Sequence, residues 1–298
     1  MFLLKCEAHE TIWGGQKLVP YTDGTHDVIG HLYSVHCTAE GSNTILTGPD
    51  KGKSMNQYFV EHREQFGLQG YDYFPVVIAL VDASDNLSIQ VHPDDESVLV
   101  LDPEMKRGKN ESWFFIDTPE EGSIFCGCEC KTMDELRNAI KKGEMEQATH
   151  RLPVKQGDYV YVRAGTLHAM SKGSLVYEIE ENGGATYRFY DFNRKDAEGN
   201  TRPLHIPEAF FSVKVGLEST PRQYGSEPIE ELRYFTQHLN NISSYRNRSN
   251  TLQVFTVLKG TFEFEGNSVT TGSSIILEPR DELVVDVEEA IVAEPKPL

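Results

Sequence analysis

The sequence predicts a mainly β protein made of two related antiparallel β-barrels, with a few short helices on the first barrel. Short runs of alternating polar and apolar residues, separated by turns rich in glycine, fill residues 152–190. These strands follow one another without the intervening helices of a βαβ protein. Residues 272–283 repeat the plan of residues 157–168, with a glycine turn, an apolar strand, a tight turn and a second strand.

The repeat divides the chain into two predicted domains. Residues 1–215 are expected to form the barrel that carries the candidate ligands and the helical insertions, and residues 216–298 the second barrel. Pro, Gly, Ser and Glu accumulate near the start of the second part, as in a connecting segment. Leu283 stands where the first repeat has His168. We therefore expect the second barrel to lack metal ligands and to serve as a scaffold or as one wall of a cleft.

The first half of the chain combines strands with one early helix. Short alternating runs broken by turns predict strands and loops up to residue 48. Residues 54–66 have helical spacing, with Ser54 at the N-cap position. The apolar run at 74–81 and the alternating run at 88–92 predict two strands, and the turn between them suggests that they pair.

A second helix and further strands follow. The sequence of residues 132–135 is a capping box that opens an amphipathic helix, and Gly143 ends that helix. Because side chains alternate along a strand, Lys109, Glu111 and Trp113 are expected on one face. The remaining strands are predicted within residues 111–116, 157–168, 175–180 and 185–190.

The charge of the chain limits its partners. There are 28 Lys plus Arg and 46 Asp plus Glu, which gives a formal charge of −18 at pH 7. Such a surface repels nucleic acid and anionic membranes, so neither is expected as a partner. An anionic small molecule requires positive charge within its own site, because distant surface charges are screened. The first residues turn polar too early for a signal peptide, and no apolar run could cross a bilayer, so we expect a cytoplasmic location.

The five cysteines are expected to be reduced thiols in that compartment. Cys126, Cys128 and Cys130 are separated by single residues, whereas structural zinc sites usually separate their cysteines by two or more. The spacing instead repeats on one face of a strand. We therefore interpret these cysteines as packing residues.

The first candidate ligands lie in the alternating run at residues 87–94. Ser88, Gln90 and His92 point to one face of the predicted strand. Three neighbouring polar groups without partners would each cost about 1–3 kcal/mol when buried. A polar group, such as a metal ion, is therefore expected over this face.

Glu111 and His168 extend this set. Together with Gln90 and His92 they offer two imidazoles, a carboxylate and an amide oxygen, which suit a borderline divalent ion such as Zn²⁺ and leave a position open for a substrate. Each residue also has an ordinary alternative. His92 would serve as a hydrogen-bonded core histidine, Glu111 as a surface carboxylate and Gln90 as an edge amide.

Four motifs indicate a family. The Gly-Asp and Gly-x-x-His pattern of residues 157–168 resembles the second motif of the cupins. Within that superfamily the chain resembles the type I phosphomannose isomerases (mannose-6-phosphate isomerases) in their short bacterial form. The likeness extends from about residue 12 to residue 204. It rests on Ser-Ile-Gln-Val-His-Pro-Asp at 88–94, Gly-Lys-Asn-Glu-Ser-Trp at 108–113, Ala-Gly-Thr-Leu-His-Ala at 164–169 and Tyr-Arg-Phe-Tyr-Asp at 187–191.

The resemblance implies jelly-roll barrels and a zinc-dependent enzyme of carbohydrate metabolism that interconverts mannose 6-phosphate and fructose 6-phosphate. It implies one Zn²⁺ per chain, a sugar phosphate as the small-molecule partner, and a monomer or homodimer. The implied zinc ligands are Gln90, His92, Glu111 and His168. Arg188 and Lys109 would bind the sugar phosphate and its reacting oxygens, and Ser88 would bind the phosphate. Glu178 falls where the family has an active-site glutamate.

The chemistry of the isomerisation suggests which residues transfer a proton and which bind the anion. Interconversion of an aldose and a ketose moves a proton between C1 and C2, and Glu178 is the first candidate for this transfer and Lys109 the second. The planar guanidinium of Arg188 matches a phosphate or an oxyanion, although a simple pair with Asp191 is the alternative.

Two departures from the family pattern affect the substrate pocket. Gly30-His31-Leu32-Tyr33 stands where Gly-Glu-x-Trp is expected, and Gly183-Gly184 stands where Ser-Asp is usual. The metal set is unchanged, so the two departures concern the recognition of the sugar. Two further functions stay open at this point: a non-catalytic cupin that binds a sugar phosphate, and an Fe²⁺-dependent cupin oxygenase.

Overall fold

The computed structural model describes residues 1–22, 24–196 and 198–298, and these residues form antiparallel sheets with few helices. The mainly β prediction is confirmed. The strands before residue 215 are β1 (Phe2–Leu3), β2 (Glu7–His9), β3 (His31–Val35), β4 (Val76–Asp82), β5 (Ile89–Val91), β6 (Glu111–Asp117), β7 (Ser123–Cys128), β8 (Thr149–Pro153), β9 (Asp158–Val162), β10 (His168–Ala169), β11 (Leu175–Glu181) and β12 (Tyr187–Tyr190).

The later strands are arranged mainly in one sheet. Their bounds are β13 (Arg222–Gln223), β14 (Ile229–Glu230), β15 (Tyr234–Arg246), β16 (Gln253–Gly260), β17 (Phe262–Phe264), β18 (Asn267–Val269), β19 (Ser274–Leu277) and β20 (Glu282–Pro295). The six-stranded sheet has the order β1-β19-β16-β20-β15-β14, and β17 pairs with β18. Leu283, which stands at the place of His168 in the sequence repeat, is buried in the apolar cluster of this sheet.

Two sheets build the first barrel. One has seven strands in the order β13-β9-β6-β11-β4-β3-β2, and the other has five in the order β12-β5-β10-β7-β8. Apolar side chains of both sheets share one core, because Trp113 and Val160 of the first sheet cluster with Ile124 and Cys126 of the second. The burial of Cys126 in this core agrees with a packing role, and the five cysteines form no disulfide.

The predicted pairing of the strands at 74–81 and 88–92 is wrong. β4 lies between β11 and β3, whereas β5 lies between β12 and β10 in the other sheet. β4 is buried along its whole length and pairs with β11 through seven consecutive residue pairs. The chain therefore crosses between sheets after Asp82, and this crossing places β5 opposite β6 across the barrel.

Five α-helices lie in the first part of the chain, within the described residues: α1 (Met55–His62), α2 (Asp95–Leu101), α3 (Met133–Lys142), α4 (Met145–Ala148) and α5 (Ile206–Ser212). Two 3-10 helices in the same described part of the chain cover Val19–Tyr21 and Arg63–Phe66. Ser54 and Gln57 form a reciprocal capping box at α1, and Gly143 ends α3 in the left-handed region at φ 75°. Both predicted helices are thus confirmed. None of the helices in the described ranges has the length and apolarity needed to span a bilayer.

Two short strands connect the parts on either side of residue 215. β1 pairs with β19 of the six-stranded sheet, and β13 pairs with β9 of the seven-stranded sheet. The proposed boundary after residue 215 stays a prediction. With a boundary at that residue, β1 and β13 would each pair with a strand of the other domain.

Candidate active site

Residues of both sheets of the first barrel meet at the candidate metal centre. Gln90 lies in β5, and His92 directly follows this strand. His168 begins β10 and lies opposite Gln90 in the register of the same sheet. Glu111 begins β6 of the facing sheet. The four predicted ligands therefore converge because the two sheets close over one another.

The atoms of this group lie close together. Nε2 of His92 is 3.1 Å from Oε2 of Glu111, and Nε2 of His168 is 3.1 Å from Oε1 of the same carboxylate. These three side chains are at most 2% exposed. Gln90 directs its amide nitrogen to within 3.4 Å of Nε2 of His168. A half-turn of the amide would bring its oxygen to that position, which is the orientation that a cation requires.

Hydrogen bonds orient both imidazole rings. Nδ1 of His92 lies 3.0 Å from the carbonyl of Ala185, and Nδ1 of His168 lies 2.8 Å from the carbonyl of Thr166. A proton on each Nδ1 satisfies these carbonyls and leaves each Nε2 lone pair directed at the centre. Burial lowers the pKa of His92, which favours the neutral form that ligates metals.

In the described part of the chain, two buried polar atoms at this centre lack a hydrogen-bond partner, which indicates whether a cation would fit there. Nε2 of His92 and Oε1 of Glu111 are buried and have no hydrogen-bond partner among the described residues. Such atoms are costly unless another group binds them. Two imidazole nitrogens and a carboxylate around one point form a donor set suited to Zn²⁺. The residues present therefore fit a divalent cation.

Ser88 lies beside this group. Its hydroxyl is buried and donates a hydrogen bond of 3.1 Å to Oε1 of Gln90. The predicted common face of Ser88, Gln90 and His92 is consistent with this contact. The hydroxyl is directed at the Gln90 amide, so phosphate binding by Ser88 stays a prediction.

Lys109 precedes Glu111 by two residues and also lies close to it in space. Its Nζ atom is 3.7 Å from Oε2 of Glu111 and 2.5 Å from Oε1 of Glu180. Burial alone would lower the pKa of Lys109, but the carboxylates of Glu180, Glu111 and Glu178 outweigh this effect and raise it. Lys109 is therefore held as a cation among carboxylates.

Glu178 approaches the centre from β11. Oε1 of Glu178 accepts a hydrogen bond of 2.7 Å from Nε1 of Trp113, and the carboxyl is buried. Burial, together with the negative charges of Glu180 and Glu111, raises the pKa of Glu178 well above its usual range. Carboxylate oxygens of Glu111, Glu178 and Glu180 all lie within 4.8 Å of one another.

Glu180 was not among the residues singled out from the sequence. The alternation along Leu175–Glu181 places it on the same face as Glu178, two residues away. The strand register sets Glu180 opposite Glu111. The alternation was visible in the sequence, but the pairing of β11 with β6 was not.

Arg188 lies on the other side of the ligand group. It is opposite Gln90 in the register of β12 and β5. The alternative pairing with Asp191 is not found, because Asp191 binds Arg194 and Arg202 instead. Nε of Arg188 is buried without a partner among the described residues. Burial and the nearby charge of Arg202 lower the pKa of Arg188, and the charge of Asp191 partly opposes this effect.

A cleft of about 430 Å³ reaches the site, and its lining includes Tyr33, Lys109, Glu180 and Gly184. Gly184 has φ 61°, and a Cβ at this position would lie 3.0 Å from the Cβ of Lys109. A Cβ on Gly183 would lie 2.8 Å from the carbonyl of Gly108. The double glycine therefore lets this loop lie directly against the segment that carries Lys109.

His31 also faces this interior. Its ring stacks on Tyr33, with 5.2 Å between centroids and 10° between planes. Burial lowers the pKa of His31 to about 4, so the ring is neutral at pH 7. The neutral ring of His31 thus occupies the position at which the Gly-Glu-x-Trp pattern would place a carboxylate.

Comparison with known proteins identifies the family. The chain is 36% identical over 231 residues to the mannose-6-phosphate isomerase of Streptococcus mutans serotype c, which covers 76% of this chain and 72% of the relative. It is 35% identical over 225 residues to the mannose-6-phosphate isomerase ManA of Bacillus subtilis, covering 75% and 71%. This chain belongs to the type I phosphomannose isomerase family. It is therefore an isomerase of that family, as its motifs predicted.

Two further comparisons agree with membership of the type I phosphomannose isomerases. The family model for the phosphomannose isomerase type I catalytic domain matches residues 1–112, which include Gln90, His92, Lys109 and Glu111. The crystal structure of the mannose 6-phosphate isomerase from Bacillus subtilis superposes with a TM-score of 0.84 at 28% identity, over 98% of this chain and 99% of the other. The fold of that enzyme therefore extends over nearly the whole chain.

Proposed function

We propose that this chain interconverts mannose 6-phosphate and fructose 6-phosphate, with one Zn²⁺ bound by Gln90, His92, Glu111 and His168. The relatives that it matches are named as mannose-6-phosphate isomerases. The observation that carries the proposal is the buried convergence of two Nε2 atoms on the two oxygens of one carboxylate. A metal at this point would supply Lewis acidity toward the sugar oxygens.

The reaction requires proton transfer and no external oxidant. The C2 proton of the aldose is removed and returned to C1, while a hydroxyl proton moves from O2 to O1, so the substrate keeps all its atoms and electrons. We propose that Glu178 moves the carbon-bound proton, because its carboxyl lies beside the ligand group and is fixed by Trp113. Lys109, an ammonium next to Glu111, is the second candidate and is suited to hold or donate a proton at a sugar oxygen.

Positive charge for the phosphate is supplied locally. Arg188 and Lys109 are the cations next to the ligand group, on a chain of formal charge −18. Nε of Arg188 has no hydrogen-bond partner among the described residues, so the guanidinium has a donor to offer to the phosphate or to an oxyanion that forms during the reaction. Ser88 is proposed to add a hydroxyl near the same anion.

The test is an isomerisation assay on mannose 6-phosphate, coupled to detection of fructose 6-phosphate, before and after treatment with a chelator. We expect activity to fall on chelation and to return with Zn²⁺. Glu111→Ala should lose bound metal and activity together. Glu129→Ala removes an exposed carboxylate that pairs with His150 and serves as the matched control. Full activity in Glu111→Ala would refute the site.

The other two functions considered from the sequence give different results in the same experiments. An iron-dependent oxygenase would contain stoichiometric iron and consume oxygen. A non-catalytic binder would be stabilised thermally by the sugar phosphate without forming product. Membership of an isomerase family favours turnover over both.

A further inference from the structure

Arg233 connects the C-terminal part of the chain to the loop that carries Lys109. It lies between β14 and β15 and is only 7% exposed. One guanidinium nitrogen donates to Oε2 of Glu181, at the end of β11. The other donates to Oδ2 of Asp95, in the first turn of α2, at 2.5 Å. The guanidinium of Arg233 therefore bridges β11 and α2.

Both partners of Arg233 hold residues next to Lys109. Oε2 of Glu181 also accepts a hydrogen bond of 2.7 Å from the side-chain amide of Asn110. Oδ1 of Asp95 accepts one of 2.8 Å from the backbone N–H of Gly108. The residues on either side of Lys109 are therefore fixed through the same guanidinium.

The same contacts extend toward Glu111. The side-chain oxygen of Asn110 accepts a hydrogen bond of 2.9 Å from the N–H of Ala164, and the carbonyl of Asn110 accepts one of 2.8 Å from the N–H of Glu181. Glu180, which binds Nζ of Lys109, directly precedes Glu181. A shift of Glu181 would therefore move both ends of the Lys109–Glu180 pair.

We infer that Arg233 is a positioning residue that holds Lys109 in place beside Glu180 and Glu111, and that this is a contribution of the C-terminal part of the chain to the site. The inference rests on the proposed function for its kinetic test. Arg233 does not line the cleft. Its effect is expected in turnover more than in binding, because it acts through the placement of another group.

The experiment compares Arg233→Met with the wild type and with Arg222→Met. Arg222 is an exposed arginine in the same region that pairs with Glu231. We expect kcat of Arg233→Met to fall about tenfold or more, with KM within about twofold and the zinc content unchanged. Arg233→Lys keeps one charge but loses the fork, so its kcat should be intermediate. Arg222→Met should stay close to wild type.

A double variant separates positioning from charge compensation. Arg233→Met leaves Glu181 as an unpaired buried carboxylate, which could impair folding. Adding Glu181→Gln removes that charge while the bridge to Asp95 stays broken. We expect the double variant to fold with a low kcat. Recovery of wild-type kcat would overturn the inference, as would a loss of activity that follows the loss of zinc.

A crystal structure of the double variant gives a readout that does not need turnover. The inference requires that Nζ of Lys109 moves from its place 2.5 Å from Glu180. An unmoved Lys109 would overturn it, even if the wild type proved inactive as an isomerase. Inactivity of the wild type and of Arg222→Met together would refute the proposed function instead.

Discussion

Nζ of Lys109 lies 2.5 Å from Oε1 of Glu180 and 3.7 Å from the nearer oxygen of Glu111. The ammonium is thus shared between a carboxylate of the proposed metal centre and one that lines the cleft. This arrangement fixes the direction in which Lys109 can reach a substrate. It also makes the position of Lys109 sensitive to changes on either side.

Glu180→Gln should lower kcat about tenfold or more, because Lys109 loses its nearer carboxylate and is no longer fixed between two. The metal content should not change, since Glu180 is not a proposed ligand. Steady-state kinetics and metal analysis of the same preparation provide the measurement. Glu144→Gln, at an exposed pair with Lys142, is the control. Unchanged kcat in Glu180→Gln would contradict the proposed role of the pair.

Gly184→Ala should reduce activity by displacing Lys109. The new Cβ would lie 3.0 Å from the Cβ of Lys109, in a backbone region at φ 61° that favours glycine. Gly266→Ala is the matched control, since Gly266 has φ 74° but open space around the new Cβ. Each variant should lose about 1 kcal/mol of unfolding free energy from its backbone.

The kinetic difference between the two glycine variants is the informative result. Only Gly184→Ala should alter kcat or KM for mannose 6-phosphate. Equal kinetics in both variants, measured at a temperature where both are folded, would show that the close packing at Gly184 has no effect on Lys109.

Arg188→Ala should raise KM for mannose 6-phosphate about tenfold or more while zinc is retained, because a charge-assisted contact to the substrate is lost. Metal analysis and KM measurement test the two parts separately. Arg151→Ala removes an arginine paired with the exposed Glu121 and should leave both values unchanged. Loss of zinc from Arg188→Ala would mean that Arg188 supports the metal centre instead.

His31→Gln should make stability less sensitive to acid. Burial lowers the pKa of His31 from 6.5 to about 4, with Glu180 and Lys109 acting on it in opposite senses. Between these values the unfolded chain binds a proton that the folded chain does not, so stability rises with pH. The shift corresponds to about 3 kcal/mol, lost as the pH falls from 6.5 to 4.

Urea unfolding of the metal-free protein at pH 7 and at pH 4.5 measures this effect. The difference in unfolding free energy between the two pH values should be smaller in His31→Gln than in the wild type. An equal difference in both proteins would mean that His31 is protonated in the folded state at the lower pH.

Many of the strands and the candidate ligands could be predicted from the sequence, because local patterns of alternation and turn residues indicate them. Alternation alone places Gln90 beside His92, and the glycine turn before His168 marks the start of its strand. Helix α2 was missed, since Val98–Leu101 is continuously apolar and Leu99 and Val100 are exposed despite this. Its N-cap, Asp94, directly follows Pro93 and was the available signal.

The missed residues depend on contacts between distant parts of the chain. Glu180 joins the site through the register of β11 with β6, and Arg233 through contacts with elements more than 50 residues away. The wrong pairing of β4 with β5 has the same origin. Nothing local distinguishes a hairpin from a crossing between sheets when the connection is short.

The pairing of β1 with β19 has a consequence for biosynthesis. Leu3 finds its strand partner at Ile275, so during synthesis Leu3 must wait until the chain has been made as far as β19. Forming such a contact late closes a very long loop and slows folding. Until then the apolar side chains of Phe2 and Leu3 lack their final cover.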